Sequence, residues 1–195
     1  MNRKEFNRQE TRKHIRKVFL QLYAETDIHD ITIQDLCCEA GIVKSTFYSY
    51  YDDKYSVLDE IETEMLRHLA KINARLEDVD VDTVLRGNPL EQAALTVDYL
   101  LEHLEEFRIV MGSHGDTRFE NRWRRDIAAS FEDRFLKEKR DPQRADLACT
   151  IFASTLIGIY RYFIFQNPNI SKEDFALILG NTFKYALQDF LPGKH

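Results

Sequence analysis

Apolar residues along this chain recur at the three- and four-residue spacing of α-helices. In the first segment Ile15, Val18, Phe19 and Leu22 follow this spacing, and basic residues occupy the opposite face. Such a pattern is typical of an amphipathic helix that packs one side on a core. It predicts a first helix from about residue 7 to residue 23 or 24.

Two short helices are predicted after a polar break at residues 27–30. Thr32 can cap the first of them, with Asp35 completing a capping box at the third helical position. Gly41 ends it, because glycine adopts the left-handed conformation after a helix at little cost. The next helix is predicted from Lys44 to about Tyr51. A helix, a glycine-containing turn and a helix at this spacing indicate a helix-turn-helix.

Longer apolar stripes predict a helical body. A fourth helix opens after Asp52-Asp53 and carries its stripe to Leu76, and residues 78–88 are a predicted linker. Asp141-Pro142 and Ser171 to Asp174 are predicted helix starts. The remaining stripes lie in the segments Leu90–Phe107, Phe119–Phe135, Leu147–Phe165 and Phe175–Phe190.

Composition supports helices throughout. Seven glycines and four prolines in 195 residues provide few tight turns for a sheet protein. We expect an all-α fold, with a three-helix helix-turn-helix domain over residues 1–54 and a helical regulatory and dimerisation domain over residues 55–195.

The net charge of -6 is distributed unevenly. Residues 1–17 contain seven basic and two acidic side chains, whereas most acidic residues lie beyond residue 54. A basic end on an acidic body can contact phosphate, but a basic run can equally be a solvated helix face. Charge alone leaves these two interpretations open.

Neither a membrane span nor a cofactor is expected. The segment Leu147–Phe165 is near the length of a span, but its polar residues, Arg161 among them, favour a helix covered by protein. No apolar stretch follows the basic N-terminus, so no signal peptide is predicted. Cys37, Cys38 and Cys149 lack the spacing of zinc ligands, so no metal or other cofactor is expected. Three cysteines do not build a disulfide framework, and reduced cysteines fit an expected cytoplasmic location.

The segment from residue 31 to residue 58 combines a threonine, an Ala-Gly turn, a Thr-Phe-Tyr run and a lysine. These positions are Thr32, Ala40-Gly41-Ile42, Lys44-Ser45, Thr46, Phe47, Tyr48, Ser49, Tyr50, Tyr51 and Lys54. With this pattern the segment resembles the DNA-binding domain of the tetracycline-repressor (TetR) family, and the similarity covers residues 10–58. Val43 departs from the usual capping Ser of the helix from Lys44 to about Tyr51, the reader helix, and Cys37 departs from a usual Ala.

The resemblance implies a role in DNA binding for nine side chains. Lys54 is expected to hold a phosphate at the start of the fourth helix, where backbone N–H groups favour an anion. Arg3, Lys4 and Arg8 either reach a minor groove or are disordered. The candidates for base edges are Gln34, Lys44, Ser45, Thr46 and Ser49, and those for phosphates are Thr32, Tyr48, Tyr50 and Lys54.

The helical body is expected to form a homodimer and to bind a small-molecule effector. The expected function is that of a repressor that binds a palindromic operator as a dimer and is released from it by the effector. The last two predicted helices carry more apolar surface than one core can cover, and they are the expected dimer interface. Arg161 is expected to reach the rim, or a carboxylate such as Asp174 or Asp189 across the axis. An effector pocket and an ordinary aromatic core are alternative interpretations of Tyr99, His103, Phe107, Trp123, Phe131, Phe152 and Tyr160.

Two other functions were weighed. An enzyme is disfavoured, because His103, His114, Cys149 and Tyr160 lie in separate segments without a nucleophile elbow, a phosphate loop or metal-ligand spacing. A closer alternative is a TetR-like DNA-binding protein that organises DNA or binds a protein partner and has no inducer. A deep pocket would favour the effector-binding regulator, and a filled core would favour this alternative.

Overall fold

The computed structural model describes residues 3–74, 90–137, 142–166 and 169–188, and these contain α-helices and no β-strand. The all-α prediction is confirmed. The predicted linker, Leu76 and Asp141 lie outside the described residues, as do the side chains of Phe135, Phe183 and Phe190. The helices are α1 (Arg3–Glu25), α2 (Ile33–Glu39), α3 (Lys44–Tyr48), α4 (Lys54–Ala74), α5 (Leu90–Glu102), α6 (Leu104–Val110), α7 (Thr117–Lys137), α8 (Pro142–Phe165) and α9 (Lys172–Gln188).

The chain forms two compact units. Unit 1 comprises Met1–Met65 and Ile109–Asp116, and unit 2 comprises Leu66–Arg108 and Thr117–His195. The predicted domain boundary at residue 54 is the start of α4, whereas unit 1 continues along that helix as far as Met65. Helix α4 is therefore shared by the two units.

The core of unit 1 is built from one apolar face of each of its first helices. Ile15 and Phe19 of α1, Leu36 of α2 and Phe47 of α3 are all 0% exposed. Burying a side chain of this size stabilises a fold by about 1.5–3 kcal/mol. Because Phe47 anchors α3 from below, the opposite face of this short helix is left towards solvent.

The local signals around α2 behave as the sequence predicts. The Thr32 hydroxyl accepts a hydrogen bond from the Asp35 N–H, and the Asp35 side chain accepts one from the Thr32 N–H, so the predicted capping box is confirmed. Gly41 has φ +62°, which confirms the left-handed residue after α2. Val43 begins α3 without a side-chain cap, as expected from the missing hydroxyl.

Two predicted helix bounds differ from the structure. Helix α1 begins at Arg3, before the predicted start, and α3 ends at Tyr48 instead of Tyr51. The last turn of α3 tightens, because the N–H groups of Ser49 and Tyr50 bond to the carbonyls three residues earlier. The reader helix is therefore shorter than predicted.

Unit 2 is a layered helical bundle. Helix α7 packs along α8, while α9 packs on α5 and α8. The stripe predicted as one helix from Leu90 to Phe107 is divided at His103 into α5 and α6. The deviation is local, since the His103 N–H still donates to Tyr99 O (3.1 Å) and the Phe107 N–H to His103 O (3.0 Å).

Helix α8 is covered on one side within this chain. By length and composition its segment Asp146–Phe165 could cross a membrane, and half of that segment is buried. Phe152 and Phe163 face the core, whereas Ile151 and Tyr162 remain 48% and 52% exposed. This chain therefore covers one side of the helix, and a protein cover for the other side stays a prediction.

Candidate nucleic-acid interface

Helices α2 and α3 present a polar face above the buried Phe47 in unit 1. The half-buried members of the predicted DNA-binding set are Thr46, Tyr50 and Lys54. The exposed members are Thr32, Gln34, Lys44, Ser45, Tyr48 and Ser49. A face with amide, ammonium and hydroxyl groups can meet the donors and acceptors of a major groove.

Within this face, two candidate base readers from different helices approach each other. The Lys44 ammonium on α3 lies 3.5 Å from Oε1 of Gln34 on α2. If the contact persists on DNA, the Gln34 oxygen is already engaged, and both side chains then offer mainly N–H donors. Donor groups match the O6 and N7 acceptors of guanine.

Two of the predicted hydroxyls are engaged within the protein. Thr32 Oγ1 donates to the Asp35 carboxylate at 2.6 Å while it caps α2. Ser49 Oγ donates to the Thr46 carbonyl at 2.6 Å. These bonds fix the two side chains against their own backbone, so any contact with DNA uses their remaining lone pairs or requires rotation.

The basic residues of α1 have two kinds of partner. The Arg8 guanidinium lies over the Tyr50 ring, 5.7 Å from its centroid, which connects α1 to the end of the reader segment. Arg12 donates to Glu60 on α4 at 2.9 and 2.5 Å, and Arg16 pairs with Glu60 and Glu64. The hydrogen bond with Glu60 raises the pKa of Arg12.

These ion pairs narrow the predicted basic surface. Because Arg12 and Arg16 are turned towards the carboxylates of α4, part of the positive charge of residues 1–17 serves packing within unit 1. Sequence analysis missed Glu60 and Glu64 as their partners. The two carboxylates on α4 and the two arginines on α1 share a spacing of four residues, which is compatible with this pairing but does not specify it.

Lys54 contacts the turn that precedes α2. Its ammonium donates to the carbonyl oxygens of His29 and Ile31 at 2.9 and 2.8 Å. The neighbouring Asp53 caps α4, since its Oδ1 accepts from the Ser56 N–H at 2.7 Å. The phosphate role of Lys54 that the resemblance implies remains a prediction, and its observed partners belong to the protein.

In unit 2, five of the seven predicted effector-contacting residues form one chain of ring contacts. His103, Tyr99, Phe107, Trp123 and Tyr160 follow each other at centroid distances of 4.6, 5.8, 5.8 and 5.0 Å. All except His103 are buried. Burial raises the pKa of Tyr160 to about 12, opposed by a hydrogen bond with Thr96.

The other two predicted residues, Phe131 and Phe152, contact each other edge-on at 4.6 Å. The sequence analysis missed His68, Phe119 and Phe175 as members of the larger cluster, and the Phe175 ring lies 6.1 Å from Tyr160. His68 of α4 stacks on Tyr99 at 4.2 Å, and Phe119 lies 6.1 Å from both Phe107 and Trp123. In this structure these rings pack directly against one another.

An apolar groove of about 350 Å³ lies between α8 and α9, and none of the predicted effector-contacting residues lines it, although the Phe175 ring in its lining is 6.1 Å from Tyr160. Its lining residues are Thr155, Gly158, Ile159, Tyr162, Phe163, Ile170, Phe175 and Ile178. Nearby, Arg161 pairs with Glu120 of α7 and lies over the Phe165 ring at 4.9 Å. Arg161 thus has a carboxylate within its own chain; its contact with Asp174 or Asp189 across a dimer axis stays a prediction, and Asp189 lies outside the described residues.

Two of the four residues considered as catalytic candidates, Cys149 and Tyr160, are buried in unit 2. Burial raises the pKa of Cys149 to about 12, which keeps its thiol protonated and a weak nucleophile. His103 contacts Glu106 through Nδ1 at 3.0 Å and belongs to the aromatic cluster. His114 belongs to unit 1, whereas the other three candidates belong to unit 2.

An N-terminal helix-turn-helix unit followed by a helical bundle defines the TetR class of fold, and solved structures match it along nearly the whole chain. A TetR-family transcriptional regulator from Syntrophomonas wolfei has 19% identity and a TM-score of 0.67, covering 96% of this chain and 100% of its own. One from Streptococcus agalactiae has 24% identity and a TM-score of 0.61, covering 92% and 97%. The dihydroxyacetone kinase operon activator DhaS has 20% identity and a TM-score of 0.58, also covering 92% and 97%. The chain therefore has the fold of TetR-family regulators.

Two curated relatives agree with this fold. The HTH-type transcriptional regulator YxbF of Bacillus subtilis is 25% identical over 107 residues, which are 54% of this chain and 27% of YxbF. The mycofactocin biosynthesis transcriptional regulator MftR of Mycobacterium tuberculosis is 24% identical over 163 residues, 78% of this chain and 77% of MftR. The names of these relatives and structures describe transcriptional regulators, not enzymes. No protein-family model matches the chain.

Proposed function

We propose that this protein is a transcriptional regulator whose α2–α3 face binds operator DNA in the major groove. The observation that carries the proposal is the row of exposed polar side chains on a helix that the buried Phe47 anchors. In this proposal Gln34, Lys44 and Ser45 face base edges, and Tyr48 and Tyr50 face the backbone. The TetR-like fold supports the same assignment.

We further propose that the protein binds as a two-fold homodimer through α8 and α9. One short reader helix covers too few base pairs to single out a genomic site, and a two-fold axis doubles the sequence that is read. The apolar groove and the exposed Leu147, Ile151, Leu177 and Ile178 supply a surface that a second copy would cover.

Selection from random duplexes tests the DNA-binding proposal directly. Purified protein is expected to enrich a palindromic sequence whose half-sites lie about 34–36 Å apart, or a longer multiple of a helical turn. The Lys44→Ala variant is selected in parallel. Because it lacks one candidate base reader, its selected sequence should be less defined at one base pair. If several rounds enrich no sequence, sequence-specific regulation is ruled out.

For regulation, we propose a cytoplasmic repressor that a small effector releases from DNA. Helix α4 belongs to both units, so a ligand that changes its placement would alter DNA affinity, and DNA would alter ligand affinity by the same factor. Compounds that raise the melting temperature are titrated with and without the selected operator. Equal affinities in both titrations would exclude release by that compound.

A second candidate, a regulator without an inducer, is favoured by the aromatic cluster. Trp123 stacks on Tyr160 with an interplanar angle of 6°, and Phe107 packs beside Trp123. Rings in mutual contact are typical of a filled core. A Trp123→Ala variant separates the candidates, because its cavity should lower stability in both, but only an effector-dependent regulator loses a compound's effect on operator binding.

A further inference from the structure

The start of α4 contacts the turn before α2 through two consecutive residues. Lys54 Nζ donates to the His29 and Ile31 carbonyl oxygens at 2.9 and 2.8 Å. The Tyr55 hydroxyl lies 3.1 Å from Nδ1 of His29. The two residues of α4 therefore hold the main chain and a side chain of the same turn.

The turn supplies hydrogen bonds for some of its own main-chain groups. The His29 N–H donates to Asp27 Oδ1 at 2.8 Å, and the Asp30 N–H donates to Asp27 O at 2.9 Å. The His29 and Ile31 carbonyls receive their bonds from Lys54, and Ile31 is 3% exposed. The bond to the Ile31 carbonyl is partly buried, and such a carbonyl is destabilising when it loses its donor, so an ammonium at this place stabilises the turn.

We propose that Lys54 is a positioning residue for the DNA-binding function proposed above: it clamps residues 27–31 to α4 and so fixes where α2 begins. Ile31 directly precedes Thr32, whose hydroxyl caps α2. Helix α2 carries Gln34, so displacement of the turn would displace a candidate base reader. Lys54 therefore affects DNA binding indirectly, through the position of the turn and of α2.

The surroundings of Lys54 do not favour a phosphate as its main partner. Two of its three ammonium protons are directed at carbonyl oxygens, and Lys54 is half-buried. Asp53 already places a carboxylate at the start of α4, where its Oδ1 accepts from the Ser56 N–H. This carboxylate occupies the helix start, where free backbone N–H groups would otherwise favour a phosphate.

The test compares Lys54→Met, which keeps the aliphatic stem and removes the donors, with Lys71→Met. Lys71 is the matched control, because it is exposed on the same helix. Three quantities are measured on the full chain: thermal unfolding, amide hydrogen exchange of residues 27–36, and the salt dependence of binding to a random-sequence duplex of about 30 base pairs. A Tyr55→Phe variant, which removes only the hydroxyl, provides a milder change should Lys54→Met fail to fold.

Lys54→Met is expected to lower the melting temperature by about 2–8 °C and to raise exchange locally in residues 27–36. It should weaken binding while the slope of log K against log salt stays the same. Tyr55→Phe should raise exchange in the same residues to a smaller extent, and Lys71→Met should change none of the three quantities.

A slope that becomes shallower by about 0.9 would identify a lost phosphate contact and overturn the proposal. Unchanged stability and exchange in Lys54→Met would overturn it as well, as would unchanged exchange in Tyr55→Phe should only that variant fold. If the wild-type protein binds no duplex, the proposed function fails, while unfolding and exchange still decide whether Lys54 clamps the turn.

Discussion

At the scale of single residues, the contact between Lys44 and Gln34 has a measurable consequence for sequence reading. Lys44→Ala should cost about 1–3 kcal/mol on the selected operator and relax preference at one base pair, as expected for the loss of a guanine contact. Because the two side chains lie 3.5 Å apart, the Gln34→Ala effect should not be additive with it.

A double-mutant cycle on operator variants measures this coupling. Cys38→Ala provides a control at an exposed position of α2 that is not among the candidate DNA contacts. If Lys44→Ala binds every variant of the operator as the wild type does, its role in base reading is refuted. Additive effects of the two alanine substitutions would show that the Lys44–Gln34 contact does not persist on DNA.

Buried tyrosines make stability sensitive to alkaline pH. Burial raises the pKa values of Tyr23, Tyr51 and Tyr160 to about 12, whereas an unfolded tyrosine titrates near pH 10. Above pH 10 the unfolded chain loses these protons first. The stability that each protonated tyrosine contributes is complete below pH 10 and is lost between about pH 10 and 12.

Tyr160→Phe should therefore make unfolding less dependent on pH in this window, by about 1.4 kcal/mol for each pH unit. Urea unfolding at a series of pH values measures the slope. Tyr48→Phe is the control, because Tyr48 is 55% exposed. A slope that is the same in wild type and Tyr160→Phe would show that the Tyr160 hydroxyl ionises as easily in the folded protein as in the unfolded chain.

Side-chain exposure in the reader segment could be anticipated from the sequence, but ion-pair partners could not. Phe47 is buried and Lys44 and Ser45 are exposed, as the helical period requires. The basic face of α1 was interpreted only as a phosphate-binding or solvated surface. Arg12 pairs with Glu60, which lies 48 residues away in the sequence, and no local pattern specifies such a contact.

At the scale of elements, the turn between α2 and α3 depends on a glycine. Gly41 has φ +62°, and a Cβ added there would meet no atom within 4 Å, so conformation alone disfavours a side chain. Gly41→Ala should destabilise the protein by about 1–2 kcal/mol, and Gly41→Asn by less, because asparagine tolerates the left-handed region.

Urea unfolding compares these two variants with wild type. A Glu39→Ala variant is the control, since Glu39 is an exposed helical residue of α2 beside the same turn. Alanine is the best helix former, so this change should be nearly neutral. Equal stabilities of the Gly41→Ala and wild-type proteins would contradict the requirement for glycine in the turn.

Helix starts were more predictable than helix ends. The starts of α2 and α9 follow from local hydrogen bonds, Thr32 with Asp35 and Ser171 with Asp174. The end of α3 at Tyr48 and the division at His103 have no such local signal. The end of α3 coincides with a tightened last turn, and helix bounds without a capping residue vary by one or two residues.

At the scale of the whole molecule, the apolar patterns identified a helical body but could not indicate which face of α8 this chain covers. A stripe that is apolar on most sides has the same period whether its second cover is another helix of the chain or a second copy. The structure distinguishes the two faces: Phe152 and Phe163 are buried, whereas Ile151, Tyr162 and Ile178 are exposed. The dimer proposal follows from this outer face.

A charge on that face should separate the two copies. Ile178 is 46% exposed and lines the groove between α8 and α9, so in a dimer that buries the groove Ile178→Lys would place an ammonium in an apolar contact. We expect wild type to sediment as a dimer of the 23.0 kDa chain and Ile178→Lys as a monomer with unchanged helicity.

Leu101→Lys, at a 36% exposed position on α5 outside the groove, is the control and should remain dimeric. Loss of the dimer should also abolish binding to the palindrome while weak non-specific binding persists, because each monomer keeps one reader helix. A wild-type protein that sediments as a monomer at micromolar concentration, or an Ile178→Lys variant that remains dimeric, would exclude this surface as the interface.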